Sequence, residues 1–136
     1  VAEEPADIVL KRHDTWEPLK AVLKRKNPAT GELEAIDLST AIKVTLLLKG
    51  ERGAGAALEQ PCTAWGGGSV KSSSGPTAGQ VEYSWHQTDL EPTLTPERYK
   101  IEWEIEWPET AGVKRFQTVP NSKYRTLEVI ADLGIA

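Results

Sequence analysis

Three carboxylates at two-residue spacing, Glu102, Glu104 and Glu106, stand in the stretch RYKIEWEIEWPETAG at 98–112. Strict alternation predicts a β-strand, with the glutamates on one face and Tyr99, Ile101, Trp103, Ile105 and Trp107 on the other. Neighbouring same-face residues on a strand lie about 6.8 Å apart. That spacing falls within the range of about 6.5–9.5 Å between the carboxylates of inverting glycosidases. A general acid also needs a carboxyl whose pKa is raised by burial or an enclosing cleft. A row that projects opposite an apolar ridge is instead expected to be the wet side of a sheet. In VKRFQTV (113–119), Phe116 is expected to join the ridge, which would turn Arg115 and Gln117 toward Glu104 and Glu106. Such cross-strand pairs are ordinary surface devices worth under about 1 kcal/mol each. Glu102, Glu104, Glu106 and Arg115 are therefore read as a solvent-facing interface patch, and no residue is assigned a catalytic role.

The other reactive side chains are isolated. His13 precedes Asp14 and His86 stands three residues before Asp89, but neither has a second His or Cys at ligand spacing. Cys62 is the single cysteine, which excludes an intrachain disulfide and a paired-cysteine zinc site. AWGGGSVKSS at 64–73 lacks the Gly-x-x-x-x-Gly-Lys-Ser/Thr spacing of a phosphate loop. No metal and no cofactor are expected. Five tryptophans remain to be placed. Trp85, Trp103 and Trp107 fall on apolar faces and fit a core, whereas Trp16 and Trp65 sit near strand ends. Those two are candidates for an interface anchor or a sugar-stacking platform.

The elements that must position these residues are short and punctuated. DIVLKR (7–12), WEPLKAVLKR (16–25), IKVTLLLKG (42–50), GQVEYSWHQ (79–87), VKRFQTV (113–119) and YRTLEVIAD (124–132) all read as strands. Turn signals such as NPATGE (27–32) separate them. Leu47 breaks the alternation of its strand, which predicts cover on both faces. No long amphipathic helix and no internal repeat appear. At 136 residues the chain is expected to form one domain, residues 1–136, with an N-terminal arm at 1–6 and a flexible Gly/Ser-rich insertion at 51–79. A net charge of −4 with dispersed cations gives no footprint for nucleic acid. The longest apolar run, VTLLL, is far short of a membrane span. No signal peptide is visible, and synthesis in a reducing cytoplasm is expected.

In order and spacing, four segments resemble the N-terminal immunoglobulin-like domain of tailed-phage baseplate upper proteins. They are AIDLSTAIKVTLLLKG (35–50), GQVEYSWHQTD (79–89), RYKIEWEIEWPETAG (98–112) and FQTVPNSKYRTLEVIADL (116–133). The resemblance spans about residues 8 to 133 and rests on no single rare motif. It implies an all-β fold, an immunoglobulin-like antiparallel β-sandwich of about seven to nine strands. It also implies a non-enzymatic virion structural protein, made in the host cytoplasm, that docks onto other phage virion proteins of the tail, baseplate or capsid. A homo-oligomer within the particle is compatible with it, and neither nucleic acid nor membrane is an expected partner. The alternative reading is a carbohydrate-binding β-sandwich module that uses Trp16 and Trp65.

Overall fold

The computed structural model describes residues 8–11, 17–51, 56–86, 89, 94, 97–119 and 125–130, with backbone alone for 9–11 and 56. Trp16, His13, Asp14 and the arm at 1–6 lie outside them. The fold is all-β. Its strands are β1 (Ile8–Lys11), β2 (Leu19–Val22), β3 (Lys24–Lys26), β4 (Leu33–Ala35), β5 (Lys43–Gly50), β6 (Ala56–Pro61), β7 (Gln80–Tyr83), β8 (Arg98–Thr110), β9 (Val113–Val119) and β10 (Arg125–Ile130). Ten strands among the described residues exceed the expected count, because the segment 16–25 divides at Leu23 and the segments 33–35 and 56–61 also pair.

One large sheet runs β1-β10-β8-β5-β6, and β9 also pairs with β8. Its ladders are antiparallel except for β1 beside β10, which is parallel. The centre is β8, a strand of 13 residues. β5 covers one edge of it from Tyr99 to Glu106. The other edge is shared: Arg98–Ile101 pair with β10, and Trp103–Thr110 pair with β9. Two smaller antiparallel pairs, β2-β7 and β3-β4, form the facing layer.

The core lies between the layers and follows the period of two. Tyr99, Ile101, Trp103 and Ile105 of β8 are buried together with Val44, Leu46 and Leu48 of β5 and with Leu19, Val81 and Tyr83 of the facing layer. Trp107 is half-buried at the ridge's end. Burying each large side chain of this kind stabilises by about 1.5–3 kcal/mol. Leu47, of opposite parity, is also buried, in register between Glu59 and Glu102. Leu47 alone of this strand is sheltered on the outer face, where Lys43 is exposed and Thr45 and Lys49 are half-buried, so the expected cover on both faces holds at that one position.

The segment 51–79, expected as a flexible insertion, contributes β6 and two short 3-10 turns, Val70–Ser72 and Gly75–Thr77. Residues 63–66 of it lie against β7, where Thr63 bridges Glu82. The Gly66 N–H donates to the Glu82 carboxylate, and the Trp65 indole N–H donates to the Val81 carbonyl at 3.0 Å. Glu82 has the outward parity expected of it yet is buried beneath this loop.

Candidate functional site

The acidic row occupies the outer face of the large sheet, as its parity predicts. Its environment is less wet than expected. Glu102 is only 7% exposed and meets the Lys49 ammonium at 3.4 Å. Glu106 is part-exposed and faces Lys43 at 4.0 Å across the same β5–β8 ladder. Glu104 lies between them, opposite Thr45 on one side and Thr118 on the other. The cations that answer the glutamates therefore come from β5.

Arg115 is not their neighbour. The β8–β9 hairpin closes on two residues, Ala111 and Gly112, with φ of 53° and 78°. β8 thus runs on through Thr110. A register shift follows, because Thr110 pairs with Val113 while Trp107 pairs with Arg115. A slip of one residue turns every side chain beyond it to the other face. Phe116 consequently lies opposite Glu106 on the outer face, 52% exposed, instead of in the core. Arg115 and Gln117 take the ridge parity, and the Trp107 indole N–H donates to the Gln117 side-chain oxygen at 3.1 Å.

Trp65 belongs to the facing layer, remote in the fold from the acidic row. The Lys20 ammonium sits 5.3 Å from its ring centre, on the strand position opposite Glu82. Beside the indole lies a small depression of about 190 Å³ lined by Ser72, Ser73, Thr77 and Gln80. The Ser72, Ser73 and Thr77 hydroxyls all donate to backbone carbonyls. The structure thus separates the sequence-derived candidates into an acidic row, Arg115 behind it, and Trp65 in the other layer.

His86 is exposed, as its parity predicts, and its backbone N–H donates to the Asp89 carboxylate at 2.7 Å. Among the described residues no three His, Cys, Asp or Glu side chains form a group able to hold a metal. Burial pushes the Cys62 thiol up to about 12, against a weaker opposing hydrogen bond from the Leu46 backbone. Such a thiol stays protonated and is a poor nucleophile.

A larger concavity lies elsewhere. A groove of about 670 Å³ opens between β2-β3 of the facing layer and β8-β9 of the large sheet. Its floor is apolar, made by Ile101, Trp103 and Val119 below and by Ala21 and Leu23 above. Its lip carries Lys24, Arg25, Lys26 and Arg125, and no Asp or Glu lines it among the described residues. Arg25 reaches Glu34 of β4 at 3.5 Å. Lys24, Lys26 and Arg125 meet no carboxylate among the described residues.

The groove also exposes main chain. The Leu23 N–H donates to Gly79 O at 2.8 Å, and Leu23 O accepts from Ile36 at 2.9 Å. N–H and C=O of one strand residue point to the same side, so β7 and β4 line one edge of the 19–26 segment. Alternation leaves the N–H and C=O of Val22 and Lys24 on the opposite edge, which has no ladder partner among the described strands. The outer edge of β9 is likewise unpaired there. Sequence reading assigned no site here because the floor residues read as core and the lip comes from two distant segments. The visible signal was KRK at 24–26, a cation cluster in an acidic chain.

No protein-family model matches the sequence, and no curated protein matches it significantly.

Proposed function

We propose that this chain is a non-enzymatic docking module of a tailed-phage virion, and that an extended segment of a neighbouring virion protein enters the groove between β2-β3 and β8-β9. The observation that carries the docking role is the juxtaposition, in one opening, of an apolar floor with a strand edge that has no ladder partner among the described strands. Strand addition uses both: main-chain hydrogen bonds supply affinity, and pockets for alternate side chains supply specificity. The virion setting is supported by the resemblance of the segments at 35–50, 79–89, 98–112 and 116–133 to the phage baseplate domain. An immunoglobulin-like arrangement of the sandwich belongs to the same proposal, as does a place on the tail, baseplate or capsid.

A photo-crosslinking residue at Val22, on the open edge, tests it in assembled particles. The expected result is a covalent product with one other virion protein, and none from the same residue placed at Thr45 on the outer face. Products from Thr45 alone, or absence of the protein from purified particles, would overturn the proposal.

A second reading, a carbohydrate-binding module, is favoured by one observation: Trp65 is 39% exposed beside a hydroxyl-lined depression. Sugar-dependent change in Trp fluorescence that disappears in Trp65→Ala would establish it. The groove is the stronger site because it is larger and presents unpaired main chain.

A further inference from the structure

We infer that the segment taken by the groove is acidic, an extended strand in which apolar residues alternate with Asp or Glu; this rests on the docking role proposed for the groove. Three features converge on that chemistry. The floor at Ile101, Trp103 and Val119 is apolar and accepts apolar side chains from above. Every charged residue among those described at the lip is a cation, although the whole chain carries a net charge of −4. The open edge at Val22 and Lys24 accepts main chain, and a strand laid there sends alternate side chains to floor and lip.

The charge pattern decides the sign of the occupant. Arg25 is already answered by Glu34, which in turn accepts from the Asn27 amide at 3.2 Å. Lys24, Lys26 and Arg125 are left to bring three positive charges to one opening. A basic segment would meet like charges there, an arrangement that selects against wrong partners. An acidic one would be drawn in and held in register. Along 21–26 the groove accommodates about six residues, or about 20 Å of strand. The partner is thus recognised by period-two alternation of apolar and acidic residues, not by a single anchor.

Three blocked eight-residue peptides test the inference by calorimetry against the full chain: alternating Val and Glu, Val and Lys, and Val and Ser. The expected result is binding of the Val/Glu peptide at least about tenfold tighter than the others, weakening as salt rises from about 0.05 to 0.5 M. The variant Lys24→Glu/Lys26→Glu/Arg125→Glu changes exposed residues only. It is expected to lose the Val/Glu peptide and to gain the Val/Lys peptide, with an unchanged circular dichroism spectrum. Equal binding of all three peptides to the parent chain would overturn the acidic preference and leave the docking role standing. Binding of none would overturn both. Should the triple variant unfold, Lys24→Gln with Lys26→Gln reads the same preference through a smaller loss.

Discussion

The Tyr83 hydroxyl donates to Oδ2 of Asp89, and the same oxygen accepts the His86 backbone N–H at 2.7 Å. Both side chains are buried, and burial together with the Asp89 carboxylate raises the Tyr83 pKa above its ordinary value. Asp89 O also accepts the Leu94 N–H at 2.8 Å. One carboxylate therefore fastens the end of β7 to the start of the connection toward β8. Removing a partner from a buried network leaves a donor or acceptor dry. Asp89→Ala is expected to cost about 2–4 kcal/mol and Tyr83→Phe about 1–2 kcal/mol, measured by urea unfolding. A cost below about 0.5 kcal/mol for Asp89→Ala would show that the network does not hold the connection.

Alternation alone located β5, β7, β8, β9 and β10, since a period of two is imposed directly by strand geometry. It also fixed the buried ridge from Tyr99 to Ile105. The side to which Phe116 turns was not legible, because the bulge between Trp107 and Thr110 adds one residue, and Pro108 marks a break in the ladder without fixing the parity beyond it. Nor was the burial of Glu102, which depends on Leu47 and Lys49 from another strand. The groove is the clearest case. Lys24 and Arg125 are 101 positions apart in sequence (125 − 24) and meet only through the packing of the two layers. Composition did mark 51–79 as Gly/Ser-rich, but not the Trp65 and Gly66 hydrogen bonds that tie it to β7.

Gly79 sits at the junction of β7 with β2. Its φ is +78°, and a Cβ there would lie 2.5 Å from Leu23 O and 3.1 Å from Leu23 N. Both obstacles are backbone, so neither can rotate away. The left-handed conformation adds about 1–2 kcal/mol for any L side chain. Gly79→Ala is expected to cost about 3 kcal/mol or more, seen as loss of the cooperative thermal transition near its parent midpoint. A near-parent midpoint would mean that the two strands can separate there cheaply.

Ala111 adopts φ of 53° in the β8–β9 turn, followed by Gly112 at 78°. Two positive φ values are what a primed two-residue hairpin requires, and Asn-Gly is its favoured sequence. Ala111→Asn is expected to stabilise by about 0.5–1 kcal/mol without altering the bulge. Denaturant titration reads the gain. A loss instead would show that residue 111 does not hold a positive φ in the turn.

Lys49 and Glu102 form a pair in which one member is wet and the other nearly dry, with side-chain exposures of 37% and 9%. Deleting the wet member strands the dry one. Lys49→Ala is expected to cost about 1–2 kcal/mol, more than a fully exposed pair would. Replacing both, Lys49→Met with Glu102→Leu, is expected to fall within about 0.5 kcal/mol of the parent, because Leu47 gives the new side chains an apolar neighbour. Chemical unfolding of the single and double variants separates these outcomes, and equal costs for both would refute the stranded-charge argument.

Cys62 gives the fold a defined alkaline weakness. Its thiol is held protonated up to about 12 in the folded chain, against an ordinary value of 9.0 once unfolded. Burial is the cause, since desolvation disfavours the thiolate. Between those values the unfolded chain releases a proton that the folded chain keeps. The unfolded state then binds fewer protons, so stability falls as pH rises through this window and is fully present below it. Tyr83, also raised, acts in the same direction at higher pH. Cys62→Ala removes the first of these contributions, so its unfolding free energy is expected to decline less steeply than the parent's from pH 9 to 10.5. Parallel slopes in urea titrations across that range would show that the thiol is hydrated in the folded state. Iodoacetamide provides an independent readout: the native chain is expected to react slowly at pH 8.5, and urea-unfolded chain at the ordinary rate of a free thiol.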